Sequence, residues 1–376
     1  MPQSLSANPS PIVIQETPIG AGHPPYMIAE VSCNHMGSFE RAKNIIKAAA
    51  QAGADAVKLQ TYTADTITLD APQPHFQIHH PLWNNTTFHK LYQQGQTPFE
   101  WMKPLFDYGA EQGVTVFSAP FDFSAADLLI SLDAPLYKIA SFEAVHLPLI
   151  RKVAATGKPL IISTGIANER EIDEAVAAAR DAGCRDLILL HCISAYPTPL
   201  EEANLRTIEL LRARYGVMVG LSDHTTSTLA AEIAVGLGAV MVEKHDMLNK
   251  DDDTLDKAFS LTPDAFADLV SVCKAQTAER FAEQRHDPMV EAALGTASFA
   301  FKAGEEKSAA FRPSIMAASS IKPGDIFSAD NLIIRRPAAG LAPKYWDTLI
   351  GQTATRAFER GDALTAADLP KAVKAA

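Results

Sequence analysis

Residues 217–245, VMVGLSDHTTSTLAAEIAVGLGAVMVEKH, predict a strand, a helix and a second strand in succession. The stretch begins and ends with short apolar runs, while Ala, Leu, Ile and Val recur at helical spacing over residues 227–237. His224 and His245 each follow one of the predicted strands. In a parallel α/β array the carboxyl ends of neighbouring strands share one rim, where ligands bind. The two imidazoles therefore predict a site on that rim, although either histidine alone is more typical of a hydrogen-bonded loop residue.

The same alternation of strand and helix extends back to residue 26. Apolar runs are followed by segments of helical spacing, and a glycine recurs just before many of the strands. Eight such units in about 260 residues predict an α/β fold of the TIM (β/α)₈ barrel class. A doubly wound open sheet is the alternative, but it rarely repeats so evenly. The predicted strands are residues 26–32, 54–60, 114–120, 136–141, 158–165, 186–192, 217–223 and 239–245.

The chain is predicted to divide into a barrel domain, residues 1–285, a linker, residues 286–311, and a C-terminal domain, residues 312–376. The last segment has short β-type runs, Pro and Gly turns and two similar phrases, IKPGDIFSADNL and FERGDALTAADL. This pattern predicts a small β-rich module.

One long segment, residues 61–96, interrupts the barrel pattern. A loop of this length inside a compact fold is typical of a lid or of a functional loop. Its histidines could bind a metal, but scattered loop histidines usually do not. The ring side chains in question are His75, His79, His80, Trp83 and His89.

Composition limits the class of protein and of partner. The 376 residues are 47% hydrophobic and 20% charged, with a formal net charge of −11, as is usual for globular domains. Without a long basic run, binding to nucleic acid or to anionic lipid is disfavoured, so an anionic substrate needs a locally positive pocket. The four cysteines form no CxxC pair, and we see neither a signal peptide nor a membrane span, so we expect a cytoplasmic protein.

Two lysines are predicted to point into the mouth of the barrel. Lys58 and Lys138 lie within the apolar runs AVKLQ and LYKIAS, where alternation turns their side chains inward. Two inward lysines among strand-end hydroxyls suit a phosphate or a carboxylate. The alternative for each lysine is an ion pair with Glu30 or Glu143. A Schiff-base lysine, Lys138 or Lys244, is a further alternative.

The histidine pair predicts a divalent metal site. Two imidazoles with adjacent oxygen groups suit Mn²⁺, Zn²⁺ or Co²⁺. Two neutral protein ligands leave positions open for water or substrate, which fits a Lewis acid that polarises a carbonyl oxygen. The acidic run at residues 251–253 is more typical of a solvated loop. Asp256, just before an apolar turn, is the better candidate for holding a substrate hydroxyl.

A set of phrases resembles the phosphoenolpyruvate-condensing sialic acid synthases. In chain order they are IAEVSCNHMGS, AGADAVKLQTYTADTITLD, YKIASFE, ISTG, HCISAYPTP, GLSDHT and EKH, and the resemblance covers nearly the whole chain. The C-terminal module, with FRPSI and IKPGD, resembles the SAF (antifreeze-like) domain of that family. Within the family, VKLQTYTADTITLD, TPFEWMKPLFDYG and YKIASFE are most similar to the pseudaminic acid synthase branch.

The resemblance implies a reaction and a set of roles. Carbon 3 of phosphoenolpyruvate would attack the aldehyde of an open-chain 2,4-diacetamido-2,4,6-trideoxy hexose, giving phosphate and a nine-carbon 2-keto sugar acid for a cell-surface glycan. The metal, Mn²⁺ with Co²⁺ or Mg²⁺ as alternatives, would be bound by His224 and His245. Glu30 and Glu143, catalytic together with the two inward lysines, would orient water or move protons. Phosphoenolpyruvate would be held by Lys58, Ser118, Lys138, Ser163, Ser194 and Ser222, and the sugar by Gln60, Tyr196, Asp256 and Arg312.

The resemblance also implies that the partner is a second copy of the chain. In a domain-swapped homodimer, Arg312 at the start of the module would reach the sugar site of the other subunit. The linker is long enough for this exchange, and the small core of the module would gain stability by docking. The alternative is that Arg312 is a surface residue or contacts its own barrel.

One departure from the family pattern concerns the sugar end. After EKH the chain reads DMLNKDDDTLDKAFSL, with Asp246 where a Phe-type residue is usual, and with Thr254 and Leu255 where Gly-Pro is usual. The accepted sugar is therefore left open, and an N-acetylneuraminate or legionaminate synthase is an alternative. A lysine-dependent aldolase on the same barrel and a sugar-binding protein without turnover are further alternatives.

Overall fold

A short hairpin near the start of the described residues covers one end of the molecule's central barrel. The computed structural model describes residues 9–79 and 86–370. Its first elements are the antiparallel strands β1 (Ile12–Ile14) and β2 (Thr17–Ile19). The buried isoleucines of this hairpin pack with the residues that begin several barrel strands. The hairpin thus closes the amino-terminal end of the barrel, and the opposite end is left for ligands.

Eight parallel strands form the closed barrel. Each strand pairs with its neighbour along the chain, and the last pairs with the first, so that His245 lies beside Glu30. The TIM (β/α)₈ prediction is therefore confirmed. The barrel strands are β3 (Tyr26–Glu30), β4 (Ala56–Thr61), β5 (Thr115–Pro120), β6 (Tyr137–Ile139), β7 (Leu160–Ser163), β8 (Leu187–Cys192), β9 (Met218–Asp223) and β10 (Met241–His245).

Helices on the outside of the barrel bury one face against the strands. In α1 (Phe39–Gln51), four apolar residues recur at three- and four-residue spacing and are fully buried. Ser38 begins this helix by accepting a hydrogen bond from the N–H of Arg41. The next helices are α2 (Ala64–Ile67), α3 (Phe88–Gly95), α4 (Met102–Glu111), α5 (Phe123–Ser131), α6 (Leu147–Ala154), α7 (Glu169–Asp181), α8 (Thr207–Tyr215), α9 (Leu229–Gly236) and α10 (Pro263–Lys274).

The described residues of the segment 61–96, which are 61–79 and 86–96, are more ordered than the sequence pattern predicts. The helices α2 and α3 belong to this segment. Tyr62, which precedes α2, and Leu91 and Tyr92 of α3 pack with Phe121 from the loop after β5. The segment therefore forms a wall beside the mouth of the barrel, which agrees with a functional loop.

The described histidines of this segment lie in different surroundings. His75 is hydrogen-bonded to a backbone carbonyl of the C-terminal module (3.1 Å), and His89 to a carboxylate in α2 (2.8 Å). His79 is exposed. His80 and Trp83 lie outside the described residues. His75 and His89 therefore have separate partners.

The chain leaves the barrel through α11 (Ala278–Gln284) and α12 (Pro288–Leu294). The sequence pattern predicts one closing helix over residues 263–283, and this is wrong, because Thr277 begins a new helix by capping the N–H of Arg280. The last two residues of α12 accept backbone hydrogen bonds from residues 205–206. Part of the segment predicted as a linker is therefore bonded to the barrel.

The C-terminal module has a small core of its own. Its antiparallel strands β11 (Ser314–Ala317) and β12 (Leu332–Arg335) and the short helix α13 (Trp346–Leu349) surround a cluster that includes Phe327 and Phe358. The prediction of a small module with β-type runs agrees with this fold.

The module docks on the wall segment 61–96. The N–H of Arg336 donates to the carbonyl of Ile67 (2.9 Å), and the hydroxyl of Thr68 donates to the carbonyl of Arg336 (2.7 Å). Met316 of β11 packs with Leu69 from the same segment. These contacts bring the residue after β12 to the barrel mouth.

Over the described parts of the chain, no helix combines the length and the apolar character that crossing a membrane requires.

Candidate active site

A pocket opens at the carboxyl ends of the barrel strands, as the position of the two histidines predicts. Polar side chains from five different strands lie on its floor. They are Lys58 of β4, Lys138 of β6, Ser163 of β7, Ser222 of β9 and Glu243 of β10.

The two predicted lysines do point inward, and carboxylates hold them. Lys58 lies 2.5 Å from Glu30 and 3.6 Å from Glu243. Lys138 donates to both oxygens of Glu243, at 2.9 and 2.8 Å, and Ser222 donates to one of them at 3.1 Å. All of these side chains are buried. Glu30 is therefore a partner of Lys58, as the ion-pair alternative predicts, whereas the partner of Lys138 is Glu243, which the sequence does not indicate.

The charged side chains on the floor shift the pKa values of one another. Burial alone raises the pKa of Glu243, but Lys138 and Lys58 outweigh it and lower the pKa to about 2. Burial lowers the pKa of Lys58, but Glu243 and Glu30 outweigh it and raise the pKa. For Lys138 burial prevails and the pKa is lowered. The floor thus holds two lysines and two carboxylates, and an entering anion must compete with Glu243 for the Lys138 ammonium group.

Serine hydroxyls surround the lysines. The buried Ser163 hydroxyl has no hydrogen-bond partner among the described residues, so it is available to a ligand. A Cβ added at Gly165 would lie 2.4 Å from Ser194 Oγ and 2.9 Å from Ser141 Oγ, so only glycine allows these hydroxyls to approach each other. Ser118 is bonded to a threonine of β4 (2.6 Å). It and Ser194 lie just behind the lining of the pocket.

The two histidines face each other, as the sequence predicts. Their ring centroids are 5.3 Å apart. His224 Nδ1 lies 3.0 Å from the carbonyl of Ile193, which places the proton on Nδ1 and leaves Nε2 to act as a ligand. Burial lowers the pKa of His224, which favours the neutral form that binds metals. His245 Nδ1 lies 3.3 Å from a carboxylate oxygen of Asp256.

This donor set fits an open metal site. Within residues 9–79 and 86–370, three or more His, Cys, Asp or Glu side chains are nowhere grouped as a closed metal cage. Two imidazole ligands, each with a neighbouring oxygen group, would leave several coordination positions to water or substrate. The predicted metal therefore stays a proposal that the residues present can accommodate.

The sugar-binding predictions Gln60, Tyr196 and Asp256 also line the pocket. The Gln60 amide donates to Glu30 (2.8 Å) and therefore orients that carboxylate. The Tyr196 ring lies 4.5 Å from that of His224, centroid to centroid. Tyr196 and Asp256 therefore lie on the side of the pocket where the histidines are.

Arg336 enters the pocket from the module, and the sequence reasoning missed it. Its Nε and Nη2 donate to one oxygen of Glu143, at 3.0 and 2.6 Å, and its Nη1 donates to the Tyr92 hydroxyl (2.8 Å). The guanidinium also lies over the rings of Phe121 and Phe142, at 5.2 and 4.8 Å. The available signal was the phrase IIRRP, in which an arginine follows an alternating strand and precedes a proline turn.

Two predicted residues have other surroundings in this single chain. Arg312 is paired with Glu171 at the start of α7, outside the residues that line the pocket, because it leaves the linker on the helical side of the barrel. Glu143 is bonded to Arg336 and lies behind the lining. Lys244, a Schiff-base alternative, is bonded to Asp223 and points away from the pocket, so that alternative is wrong for it.

Of the three unusual residues after β10, Asp246, Thr254 and Leu255, one lines the pocket. Asp246 is fully buried away from the lining, and its two oxygens have no hydrogen-bond partner in the described parts of the chain. Burial raises the pKa of Asp246 to about 8, so the carboxyl group is protonated at neutral pH. Leu255 does line the pocket, together with Leu91 and Phe311. The outer wall is therefore largely apolar.

Comparisons with known proteins agree with this geometry. Residues 45–284 match the model of the NeuB family, and residues 312–370 that of the SAF domain. A pseudaminic acid synthase of Campylobacter jejuni is 40% identical over 91% of this chain and 96% of its own length. That of Helicobacter pylori is 38% identical over 93% and 99%. The crystal structure of the spore coat polysaccharide biosynthesis protein SpsE from Bacillus subtilis superposes with a TM-score of 0.82 and 33% identity, over 96% of this chain and 99% of that one.

Proposed function

The chain belongs to the NeuB family and is a C–C bond-forming synthase, and from that premise we propose that it makes a pseudaminic-type acid. The proposed substrates are phosphoenolpyruvate and the open-chain form of a 2,4-diacetamido-2,4,6-trideoxy hexose of altro configuration. The products are a nine-carbon 2-keto sugar acid and phosphate. The names of the relatives and the phrases quoted above support this choice of sugar over N-acetylmannosamine.

The observation that carries the proposal is the buried lysine pair beside the histidine pair. Lys58 and Lys138 offer buried ammonium groups on the lining of the pocket, which suits the phosphate and carboxylate of phosphoenolpyruvate. Ser163 adds a hydroxyl free to donate. The floor therefore has the donors that an anionic three-carbon substrate requires.

The reaction balances in three bond changes. Carbon 3 of phosphoenolpyruvate forms a bond to the aldehyde carbon, and the aldehyde oxygen gains a proton. A water oxygen adds to carbon 2 and loses a proton. The bond between carbon 2 and the phosphate oxygen then breaks, the carbon-2 hydroxyl gives its proton to the leaving phosphate, and the keto group remains.

The residues of this chain have distinct tasks in that sequence. Glu30, oriented by Lys58 and Gln60, is a carboxylate base that can take the proton of the attacking water. When bound by His224 and His245, a divalent metal, Mn²⁺ with Co²⁺ or Mg²⁺ as alternatives, would supply the Lewis acid for the aldehyde oxygen. Tyr196, Asp256, Arg336 and the apolar wall would hold the sugar.

An assay of phosphate release tests the proposal. Release should require both substrates, and phosphoenolpyruvate labelled with ¹⁸O in the bridging position should give labelled phosphate, because the C–O bond breaks. Phosphate release without a sugar, or an unlabelled phosphate, contradicts it. Borohydride should trap no lysine adduct, whereas a lysine-dependent aldolase would be trapped.

We also propose a cytoplasmic homodimer. The four cysteines are free and buried, which agrees with a reducing compartment. The contact between Arg336 and Glu143 joins a module to a barrel, and a linker of this length allows the same contact within one chain or between two. Exchange of modules in a two-fold dimer would complete each site with residues of both subunits.

Refolding a mixture of two inactive variants tests the exchange. Equal amounts of His224→Ala and Arg336→Ala chains are unfolded and refolded together. If the arginine acts between subunits, half of the dimers are mixed and each has one intact site, so about a quarter of wild-type activity returns. No recovery, with mixed dimers confirmed by mass, contradicts the exchange. The same mixture with Arg312→Ala tests whether that residue also acts between subunits.

A further inference from the structure

Glu305 lies in the helical turn Ala303–Phe311 before the module, and its side chain is buried against the barrel. Its carboxylate accepts three backbone hydrogen bonds. Oε1 accepts from the N–H of Ser194 (2.8 Å) and of Ile166 (3.2 Å), and Oε2 accepts from that of Lys302 (3.0 Å). The first two donors belong to the loops after β8 and β7. One carboxylate therefore ties the linker segment to two neighbouring loops at the mouth of the barrel.

Those two loops form the phosphate end of the proposed site. Ser194 is a predicted phosphoenolpyruvate ligand, and Ser163 ends β7. Between the loops, Gly165 leaves so little room that a single Cβ would collide with Ser194 Oγ. A shift of either loop would therefore move the hydroxyls relative to each other and to Lys138.

We propose that Glu305 is a positioning residue for phosphoenolpyruvate. It holds the loops after β7 and β8 at the spacing at which the Ser163 hydroxyl, which lines the pocket in front of Ser194, meets the anionic substrate. This inference rests on the proposed function. Because the same segment leads into the module that carries Arg336, the bonds of Glu305 also connect the phosphate end of the site with the docking of the module.

The negative charge of Glu305 allows a positioning role to be distinguished from direct binding of the substrate. A carboxylate repels an anionic substrate, so its contribution lies in the acceptor oxygens that hold the two N–H groups. Three donors compensate the burial of this charge. A glutamine keeps Oε1 as an acceptor and removes the charge, whereas an alanine removes both. The two substitutions therefore give different results if Glu305 acts as proposed.

The experiment compares Glu305→Ala, Glu305→Gln and Glu306→Ala with both substrates varied. Glu306 is the exposed neighbour and serves as the matched control. We expect Glu305→Ala to raise the KM for phosphoenolpyruvate about ten- to hundredfold, since small displacements of binding groups have effects of this size. The KM for the sugar should stay within about threefold. Glu305→Gln should recover most of the affinity for phosphoenolpyruvate, and Glu306→Ala should match the wild type.

Two outcomes overturn the inference. One is an unchanged KM for phosphoenolpyruvate in Glu305→Ala with only a lower Tm or a lower kcat, which marks a purely structural anchor. The other is an equal defect in Glu305→Gln and Glu305→Ala.

Calorimetry separates this inference from the proposed function. If the wild type binds phosphoenolpyruvate but does not turn it over, the proposed function fails while the inference can still be tested by Kd. A Kd that rises tenfold or more in Glu305→Ala alone supports it, by the same displacement argument. Equal Kd values for wild type and Glu305→Ala overturn it. A wild type that does not bind phosphoenolpyruvate contradicts both.

Discussion

The barrel and the C-terminal module contribute different chemistry to one pocket. The barrel floor holds two lysines and two glutamates that compensate one another. The module supplies one guanidinium, Arg336, which is held by Glu143 and by aromatic rings. The strands of the closed barrel are sufficient to bring the floor charges together. Arg336, in contrast, reaches the pocket only if the module, which has its own core, docks on the barrel.

This difference indicates that the two ends of the site can be disturbed separately. Changes in the floor should alter the use of phosphoenolpyruvate and leave the docking of the module intact. Changes at the contact between module and barrel should first alter stability and the outer wall. The following predictions test that separation.

The largest effect is expected on the barrel side alone. A chelator should reduce turnover about a thousandfold or more, because the polarisation of the aldehyde is lost, and Mn²⁺ should restore it. His224→Ala should not recover with added metal, while the exposed His286→Ala serves as the matched control. The Tm of His224→Ala should stay close to that of the wild type. Full activity in metal-free buffer would contradict the metal proposal.

The second prediction concerns the contact between the module and the barrel. Arg336→Met leaves the Glu143 carboxylate buried without its partner, so we expect a loss of about 3–5 kcal/mol in the free energy of unfolding. The double variant with Glu143→Gln should recover much of it, because no uncompensated charge remains. Arg360→Met, which removes an exposed arginine at the same interface, should cost at most about 1 kcal/mol. Equal losses for Arg336→Met and Arg360→Met in urea unfolding would show that the buried pair does not hold the module.

A smaller effect is expected from the floor. Lys138→Met keeps the volume and removes the charge, so kcat/KM for phosphoenolpyruvate should fall about ten- to hundredfold, as for the loss of one charge-assisted contact. The KM for the sugar should change little. Lys103→Met, at an exposed lysine paired with Asp107, is the matched control. If kcat and KM for phosphoenolpyruvate were both unchanged in Lys138→Met, the floor would not be the anion site.

The smallest effect is expected in the pH dependence of stability, in which the core of the barrel should differ from the core of the module. Burial lowers the pKa of His35 and His191 to about 4 and that of His146 to about 3, whereas residues 312–370 contain no histidine. The unfolded barrel binds protons near pH 6.5 and the folded barrel does not, so its stability is complete above that pH and is lost as the pH falls. For each buried histidine, the free energy of unfolding should fall by about 0.7 kcal/mol between pH 7 and pH 6. His146→Gln should flatten this slope by that amount, and an unchanged slope in urea unfolding would contradict the assignment.

The barrel could be predicted because its signals are local. Strand and helix periods alternate along the chain, and each is visible within a few residues. The same alternation predicted that Lys58 and Lys138 point inward and that both histidines lie at strand ends. The division of the closing helix at Thr277 was missed, since a single capping hydrogen bond decides it.

Contacts across the pocket could not be predicted from local sequence patterns. The partner of Lys138 is Glu243, 105 positions along the chain, and the choice among several glutamates depends on the register of the closed barrel. Arg336 was missed beside Arg312 for a related reason. Both flank the β-strands of the module, and only the docked orientation shows which of them faces the pocket of its own chain.

The central claim, condensation of phosphoenolpyruvate with a diacetamido sugar, is tested most directly by one competition reaction. The enzyme, Mn²⁺ and phosphoenolpyruvate are supplied with equal amounts of N-acetylmannosamine and the 2,4-diacetamido-2,4,6-trideoxy sugar of altro configuration, and the products are weighed by mass spectrometry. The product ratio equals the ratio of kcat/KM values. We expect the diacetamido product to exceed the other at least about tenfold, because the apolar wall around Leu255 favours a methyl group over a hydroxymethyl group. An excess of the N-acetylmannosamine product, or no condensation product, would contradict the account.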